Sequence, residues 1–275
     1  MNKTRILIFV LLLISFSTLL SAMDINKEII ATIPDDIASN LVGLRVNKNM
    51  AFVMASNGKY MTLNLANKAL TTNKLKDAKV VDYDVVVGKI IYLDDQGMIC
   101  GYSFPKWNKG PYDSCRIEAC DQGAILSGGS NAYFLAKNAT AAVELPETYM
   151  PLPIDNGFVW VMNLNKEKRW EVNLHDCFGN IMGKIYKFSE IFEPSNLEIG
   201  PNNIDGDLIV SAVEANVRTI ALIGNNGRMF WKINGPEKVC ARDVAFGPLG
   251  ELLVLEKSSD GKIVLSRWTF ITPEG

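Results

Sequence analysis

Histidine is almost missing from this sequence: His175 is the only one among 275 residues. This count excludes a histidine-based metal centre. A serine or cysteine nucleophile that needs a histidine base would depend on His175, and the sequence has no Gly-x-Ser-x-Gly elbow. We interpret His175 as a solvated or structural residue. We predict no catalytic residue, no metal site and no cofactor.

An excess of positive charge is also missing. The 28 lysines and arginines are outnumbered by 30 aspartates and glutamates, giving a net charge of -2, and the basic residues are spread along the chain. A nucleic-acid-binding surface needs a concentrated basic face. We therefore expect no nucleic-acid partner.

Cysteine pairs with the spacing of a metal or redox motif are absent as well. The five cysteines have no Cys-x-x-Cys spacing, which excludes a metal ribbon and a thioredoxin-type motif. Cys115 and Cys120 lie close in sequence, but residues 114–120 are predicted to form a strand. Side chains five positions apart in a strand point to opposite faces, with Cα atoms about 16 Å apart. We predict no disulfide between these two residues and expect buried thiols.

Helical periodicity is scarce, with short exceptions near residues 34–40 and 188–192, and strand signals dominate instead. Short segments rich in β-branched and aromatic residues are bounded by Gly, Asn or Asp. They are residues 80–87, 89–93, 157–162, 208–213, 219–223 and 251–255. Asn-Gly and Asp-Gly pairs, which favour tight turns, recur between such segments. The pattern predicts an all-β protein.

The strand signals repeat about every 40 residues, the length of a four-stranded propeller blade. Six units result, covering residues 42–79, 80–113, 114–149, 150–195, 196–239 and 240–275. Their second strands are expected to begin near Met50, Ile90, Ala124, Phe158, Leu208 and Leu252. We predict a single β-propeller of about six four-stranded blades. A β-sandwich, or two in tandem, is the alternative.

Two segments carry a resemblance to known propellers. Residues 243–255 resemble the strand–turn–strand core of NHL-type repeats, which TolB-like propellers share in outline. Residues 226–233, with Gly227 and Trp231, are similar to the glycine–tryptophan hairpin of quinoprotein-like propellers. The resemblance implies a β-propeller repeat protein. It does not imply a quinone cofactor, since no two cysteines are adjacent.

The last unit is short by one strand, because Pro273 follows its final strand signal closely. Residues 28–33 form a good strand segment that has no place in the first unit. Two unpaired edges would be left if both stayed separate, which propellers avoid. We predict that residues 28–33 pair with the last unit and close the ring.

The N-terminus has the layout of a secretory signal. A short basic segment is followed by an apolar stretch over residues 6–20, by small residues and then by polar ones. We predict a cleaved signal peptide over residues 1–22 and a propeller domain over residues 23–275. An uncleaved anchor is the alternative, and we expect no membrane span in the mature chain.

Two acidic segments are candidates for cation binding. Asp82 and Asp84 alternate with apolar residues and so share one strand face. That face either lines a central channel or is a solvated edge, and we favour the solvated edge. Residues 202–207 resemble a calcium loop superficially but lack its ligand pattern, and we interpret them as a turn.

Trp107 and Tyr112 lie in a loop bounded by proline and glycine, and they are the best candidates for exposed aromatic contacts. With no assembled catalytic constellation, the sequence favours an exported, non-enzymatic propeller. We expect it to be a protein-interaction or assembly scaffold that binds another protein in the periplasm, cell envelope or extracellular space. The alternatives are a propeller hydrolase or lyase with a carboxylate and cation site in its funnel, and a carbohydrate-binding module.

Overall fold

The computed structural model describes twelve stretches of the chain. These are residues 24–101, 109–120, 123–128, 132–145, 149–153, 159–164, 170–175, 181–187, 193–199, 208–214, 217–223 and 229–271. Within them the chain begins with strand β1 (Asp24–Thr32) and the short helix α1 (Asp35–Ala38). The predicted helical turn near residues 34–40 is confirmed, and the one near residues 188–192 lies outside the described residues.

After α1 the strands form antiparallel sheets in chain order. The first sheet contains β2 (Leu41–Asn47), β3 (Met50–Ala55), β4 (Lys59–Asn64) and β5 (Leu70–Lys74). The second contains β6 (Val80–Val86), β7 (Lys89–Asp94) and β8 (Ile99–Gly101). The third contains β9 (Arg116–Cys120), β10 (Gly123–Ser127), β11 (Ala132–Ala136) and β12 (Val143–Leu145).

The second half of the chain repeats this arrangement. The fourth sheet contains β13 (Tyr149–Pro153), β14 (Val159–Leu164), β15 (Trp170–His175) and β16 (Ile181–Lys187). The fifth contains β17 (Glu193–Ile199), β18 (Leu208–Glu214), β19 (Val217–Ile223) and β20 (Met229–Asn234). The sixth contains β21 (Val244–Phe246), β22 (Leu252–Lys257), β23 (Ile263–Ile271) and, at its outer edge, β1.

These sheets follow the predicted units. Apart from β1, each sheet falls within its predicted unit to within three residues. Each second strand begins within one residue of its predicted start, at Met50, Lys89, Gly123, Val159, Leu208 and Leu252. The predicted turn at Asn57-Gly58 is present, and a similar turn occurs at Gln96-Gly97, with glycine φ angles of 78° and 73°. Only glycine adopts such angles without strain, so it fixes where these hairpins reverse.

The predicted pairing of the N-terminal segment with the last unit is confirmed. β1 runs antiparallel to β23 over its whole length, from Asp24 opposite Ile271 to Thr32 opposite Val264. The backbone N–H of Ile33 continues the ladder and donates to the carbonyl of Ile263 at 2.9 Å. Ile30 and Ile33 are buried in the core that the last and first sheets share. The first element of the chain therefore completes the last sheet.

Hydrophobic clusters fill the spaces between successive sheets. One joins the sixth sheet to the first, a second joins the first to the second, and a third joins the second to the third. Tyr83 is fully buried between the first two sheets, and its Oη donates to the carbonyl of Phe52 at 2.7 Å. Trp268 is also fully buried.

The first strand of each sheet contacts the first strand of the next. The contacting pairs are β2 with β6, β6 with β9, β9 with β13, β13 with β17, β17 with β21, and β21 with β2. The six first strands therefore lie beside one another in cyclic order. Within the described ranges, no helix has the length and apolar character of a membrane span.

Deleting residues 24–34 is predicted to lower the melting temperature strongly. Burying an isoleucine contributes about 1.5–3 kcal/mol, so the loss of Ile30 and Ile33 alone amounts to roughly 10 °C in a domain of this size. Differential scanning calorimetry of the protein without its leader measures this change. Removing residues 273–275 is the control and leaves the melting temperature unchanged. An unaltered transition in the longer deletion would contradict the role given to β1.

Candidate functional site

Of the two aromatic residues predicted for a binding loop, Tyr112 is among the described residues and Trp107 is not. Tyr112 is half-buried: its ring centroid is 5.4 Å from that of Tyr133, and its backbone N–H donates to the carbonyl of Gly97 at 2.9 Å. Tyr112 therefore packs on the third sheet while part of its surface stays accessible.

Of the remaining candidates, His175, Cys115 and Cys120 are among the described residues. His175 is the last residue of β15 and pairs with Val159 and Ile181 in the fourth sheet. The calcium-like segment 202–207 and Cys177 are outside the described residues. No disulfide joins Cys115 to Cys120, as predicted. The expectation of buried thiols is wrong for Cys115, which is exposed because its strand begins only at Arg116.

The prediction of a solvated face for Asp82 and Asp84 is wrong. Asp82 is only 4% exposed, and the side chain of Asp84 is 15% exposed. Both carboxylates accept backbone hydrogen bonds from the neighbouring first strand, Asp82 from Ile117 at 2.8 Å and Asp84 from Ala119 at 2.7 Å. The strand face that carries Asp82 and Asp84 is turned toward β9. The backbone amides of β9 donate the hydrogen bonds that water would supply on a solvated face.

Arg242 provides the counter-charge for Asp82. Its Nε donates to Asp82 Oδ1 at 3.0 Å and its Nη2 to Oδ2 at 2.7 Å, a bidentate pair between residues 160 positions apart. Arg242 is 1% exposed. A buried charge needs both a partner and satisfied hydrogen bonds, and this geometry supplies both.

A close backbone approach holds Arg242 in place. Gly43 of β2 and Arg242 form a parallel β-bridge, and the N–H of Leu44 donates to the carbonyl of Arg242 at 2.7 Å. A Cβ atom at position 43 would lie 2.7 Å from the Cβ of Arg242, a distance that real Cβ atoms do not show. Glycine at position 43 is therefore required for the contact between the sixth and first sheets.

Glu118 of β9 lies among three arginines. Its Oε2 is 3.5 Å from Arg45 Nη2, and its Oε1 is 3.4 Å from Arg116 Nη2 and in direct contact with Arg242 Nη1. Arg45 also lies 3.5 Å from Asp84 and 3.8 Å from Asp82. We call this set the central cluster: Arg45, Arg116, Arg242, Asp82, Asp84 and Glu118. Its three positive and three negative groups balance.

Side chains of the cluster, together with Asn47, also hydrogen-bond to the edges of the first strands. Arg45 and Asn47 of β2 donate to the carbonyls of Tyr83 and Val85 in β6, just as Asp82 and Asp84 accept from β9. In each pair of neighbouring strands, moving two residues along the first strand moves the hydrogen-bonded residue two positions forward along the next strand. β2, β6 and β9 therefore run parallel. Their starts define one face of the molecule, which we call the upper face, and the turns that follow them define the lower face.

A second buried pair stabilises the start of β21. Arg218 of β19 donates to both carboxylate oxygens of Asp243, with distances of 2.9 Å and 2.6 Å. Asp243 is fully buried and also accepts the N–H of Val239 at 3.1 Å. Consecutive residues 242 and 243 thus join the sixth sheet to the second and third sheets on one side and to the fifth on the other.

Comparison with solved structures agrees with this architecture. The Cps50 (Swd1) β-propeller domain of Myceliophteria thermophila superimposes with a TM-score of 0.55 at 9% identity, covering 90% of this chain and 100% of that one. The chain is a β-propeller repeat protein. The predicted fold class is confirmed in this respect, and the sandwich alternative is wrong.

BamB from Moraxella catarrhalis is another structural match, with a TM-score of 0.44 at 13% identity over 86% of this chain and 84% of that one. No protein-family model matches the propeller's sequence, and no curated protein matches it either.

Burial and charge act differently on the two aspartates of the central cluster. Burial works to raise the pKa of Asp82, but the charges of Arg242 and Arg45 outweigh it and hold that pKa below its ordinary value. For Asp84 burial dominates over Arg45, and the nearby Glu118 adds to it, so the pKa rises from 3.8 to about 6. Asp82 is therefore ionised at neutral pH, whereas Asp84 takes up a proton as the pH falls through about 6.

Sequence reasoning missed most of the central cluster. Arg45, Arg116, Glu118 and Arg242 were not singled out, because each was read as an ordinary charged residue. A signal was present: Arg45 interrupts the apolar run of β2, and Arg116 and Glu118 flank Ile117 in β9. Charged residues at alternate positions of first strands are a usable indication of such clusters. In the described parts of the chain, no group of three His, Cys, Asp or Glu residues is arranged to hold a metal ion.

Replacing Asp84 by asparagine is predicted to remove a pH dependence of stability. The folded pKa of about 6 exceeds the ordinary 3.8, so the contribution of Asp84 is fully present below pH 3.8 and is lost as the pH rises through 6. Urea unfolding measures this effect between pH 7 and about pH 4. As the pH falls, the free energy of unfolding of wild type is expected to rise by about 2–3 kcal/mol relative to that of Asp84→Asn.

Asp95→Asn is the matched control for this titration. Asp95 is an exposed aspartate whose pKa is lowered by its hydrogen bond to Lys79, so its contribution changes only below its ordinary pKa. The Asp95→Asn protein is expected to follow wild type between pH 7 and about pH 5. Parallel curves for wild type and Asp84→Asn would contradict the assignment.

Proposed function

We propose that the protein is an exported, six-bladed β-propeller that serves as a protein-interaction or assembly scaffold in the periplasm or cell envelope. Each of the six sheets is one blade. The cyclic contacts among the first strands support a closed ring. The pairing of β1 with β23 supports closure by the N-terminal strand, which covers the edge that β23 would otherwise expose.

Export of the propeller is proposed from the predicted leader. The signal peptide covers residues 1–22, and the domain covers residues 23–275. The position of β1 supports this division, because its first residue, Asp24, already pairs with Ile271 directly after the proposed cleavage site. Cleavage after Ala22 therefore leaves β1 complete.

One observation above all supports a non-enzymatic role: the charged groups of the central cluster are engaged in ion pairs with one another and in hydrogen bonds to neighbouring strands. Asp82 is bound by Arg242, Asp84 accepts the N–H of Ala119, and Glu118 is shared among arginines. A funnel hydrolase or lyase needs carboxylates that are available to a cation or a substrate. These three carboxylates instead join the blades, which favours a rigid scaffold with binding at its surface.

The proposed contact surface is the upper face beside Tyr112. Asp94 of β7 pairs with Val80, the first residue of β6, so the turn after β7 lies on the upper face. Tyr112 donates to Gly97 in that turn. We propose that Tyr112 contributes to a binding loop on this face, that Trp107 is the second aromatic residue of the loop as the sequence suggests, and that the partner is another envelope or extracellular protein.

Site-specific photo-cross-linking in the native envelope tests this proposal. With p-benzoylphenylalanine in place of Tyr112, irradiation is expected to yield one discrete adduct of the propeller with a second protein. Intact-mass analysis of the same material is expected to show a chain that begins at Met23. Adding Trp107→Ala to the Tyr112 probe is expected to lower the adduct yield several-fold.

Leu249 is the matched control position. It is 91% exposed in the turn that joins β21 to β22 on the lower face, so the probe there is at least as accessible as at Tyr112. No adduct is expected at this position. An adduct at Leu249 without one at Tyr112 would contradict the upper face as the contact surface. No adduct at either position would contradict the scaffold function.

A further inference from the structure

The outermost strands of the six sheets differ in how well their open edges are protected. These strands are β5, β8, β12, β16, β20 and β1. The pairings of β1, β16 and β20 with their neighbours contain register shifts, and β8 and β12 have only three residues each. Irregular pairing and shortness both hinder the addition of a further strand. β5 has neither protection: its five residues pair with β4 without a shift, and none of them is proline.

The backbone of β5 offers hydrogen-bonding groups on its outer side. The N–H of Leu75, directly after the strand, donates to the carbonyl of Gly58 at 2.9 Å. Hydrogen-bonded positions alternate along an antiparallel ladder, so Leu70, Thr72 and Lys74 direct their N–H and C=O groups away from β4. No described strand lies beyond β5, and all five of its residues are exposed. The edge therefore presents a donor and an acceptor at each of these three residues.

The same edge is positively charged. Residues 66–76 contain three lysines and no aspartate or glutamate. Lys68 is paired with Glu28 at 2.5 Å. Lys74 and Lys76 are exposed and have no ion-pair partner within the described residues. A strand that adds at this edge therefore meets two uncompensated cations at the end of β5.

This charge argues against pairing between two copies of the chain. Antiparallel self-pairing centred on Thr72 would place Lys74 opposite Leu70 of the second copy and bring two lysine-bearing edges together. Residues 66–76 hold no carboxylate that could offset the repulsion. Lysine on an open edge is a common protection against self-association, and it leaves the edge available to a strand of opposite charge.

We propose that β5 is a docking strand for an extended acidic segment of a partner protein, which adds to the first blade as a further strand. In the antiparallel arrangement an apolar residue lies opposite Leu70, which is 44% exposed, and an acidic residue lies opposite Lys74. Main-chain hydrogen bonds hold the segment, and the side-chain pairs select it. Lys74 lies at the upper face, because the next residue bonds to Gly58 in the turn after β3. This inference rests on the proposed scaffold function and specifies how the partner binds.

Binding of a short capped peptide to the ¹⁵N-labelled mature chain tests the docking strand by NMR. The peptide alternates threonine with valine and carries one glutamate near its N-terminus, opposite Lys74 in the antiparallel arrangement. The amide signals of Leu70, Thr72 and Lys74 are expected to shift saturably. A twin with lysine in place of glutamate is expected to bind at least tenfold more weakly. Absence of these shifts, or equal binding of the two peptides, would overturn the proposal.

Variants of β5 separate the backbone contribution from the charge. Thr72→Pro removes one outward N–H and keeps the ladder to β4, since proline is tolerated on an edge whose N–H faces solvent. It is expected to weaken peptide binding at least tenfold, whereas Thr72→Ala, which keeps the N–H, binds as wild type. Undiminished binding to Thr72→Pro would overturn strand addition.

Lys74→Glu tests the charge without altering the backbone. This variant is expected to reverse the preference between the two peptides, so that the lysine twin binds more tightly. Lys257→Glu, the same change at an exposed position of the sixth blade, is the matched control and keeps the wild-type preference. An unchanged preference in Lys74→Glu would overturn the acidic character of the segment.

Cross-linking in the native envelope separates this inference from the function on which it rests. With p-benzoylphenylalanine in place of Leu70, the adduct is expected to contain an acidic segment of another protein, identified by mass spectrometry. Adding Thr72→Pro is expected to lower its yield at least tenfold. An adduct from Tyr112 with none from Leu70, or with only a second copy of this chain at Leu70, would overturn the docking strand and leave the scaffold function intact. A chain that binds the acidic peptide but gives no adduct from either position would instead overturn the scaffold function.

Discussion

The buried ion pair between Arg242 and Asp82 is the interaction on which the centre of this propeller depends. The two residues are 160 positions apart, and their bidentate contact joins the sixth sheet to the second across the first. Taking two charges out of water is expensive, and the cost is offset only when geometry and hydrogen bonding are complete. Here the Ile117 amide binds Asp82 and the Glu118 carboxylate contacts Arg242, which completes the hydrogen bonding. The close approach at Gly43 holds Arg242 in the required geometry. One pair thereby fixes four first strands relative to one another.

Much of this fold could be predicted from local patterns in the sequence. Strand segments and glycine turns repeat every 40 residues because each blade is built from short-range hairpins, and Gly58 and Gly97 mark the reversals directly. The pairing of β1 with β23 is long-range, yet it followed from counting strands and avoiding open edges. The central cluster was not predictable in this way. A charged residue in a strand gives no local indication of a partner 160 residues away, so Asp82 was expected in water and is buried.

The cluster also connects the architecture with the proposed function. Because these charges are engaged with one another, we propose that binding occurs at the surface rather than in the funnel. Arg116 is the exception, since it belongs to the cluster but stays partly exposed at the upper face beside Tyr112.

A double-mutant cycle on Asp82 and Arg242 tests this account most directly. Urea unfolding of wild type, Asp82→Leu, Arg242→Met and the double variant gives the coupling free energy between the two side chains. Each single change is expected to cost about 3–5 kcal/mol because it leaves a buried charge without its partner. The double variant is expected to recover at least about 2 kcal/mol of their sum. Additive losses, within about 0.5 kcal/mol, would contradict the central role of the pair.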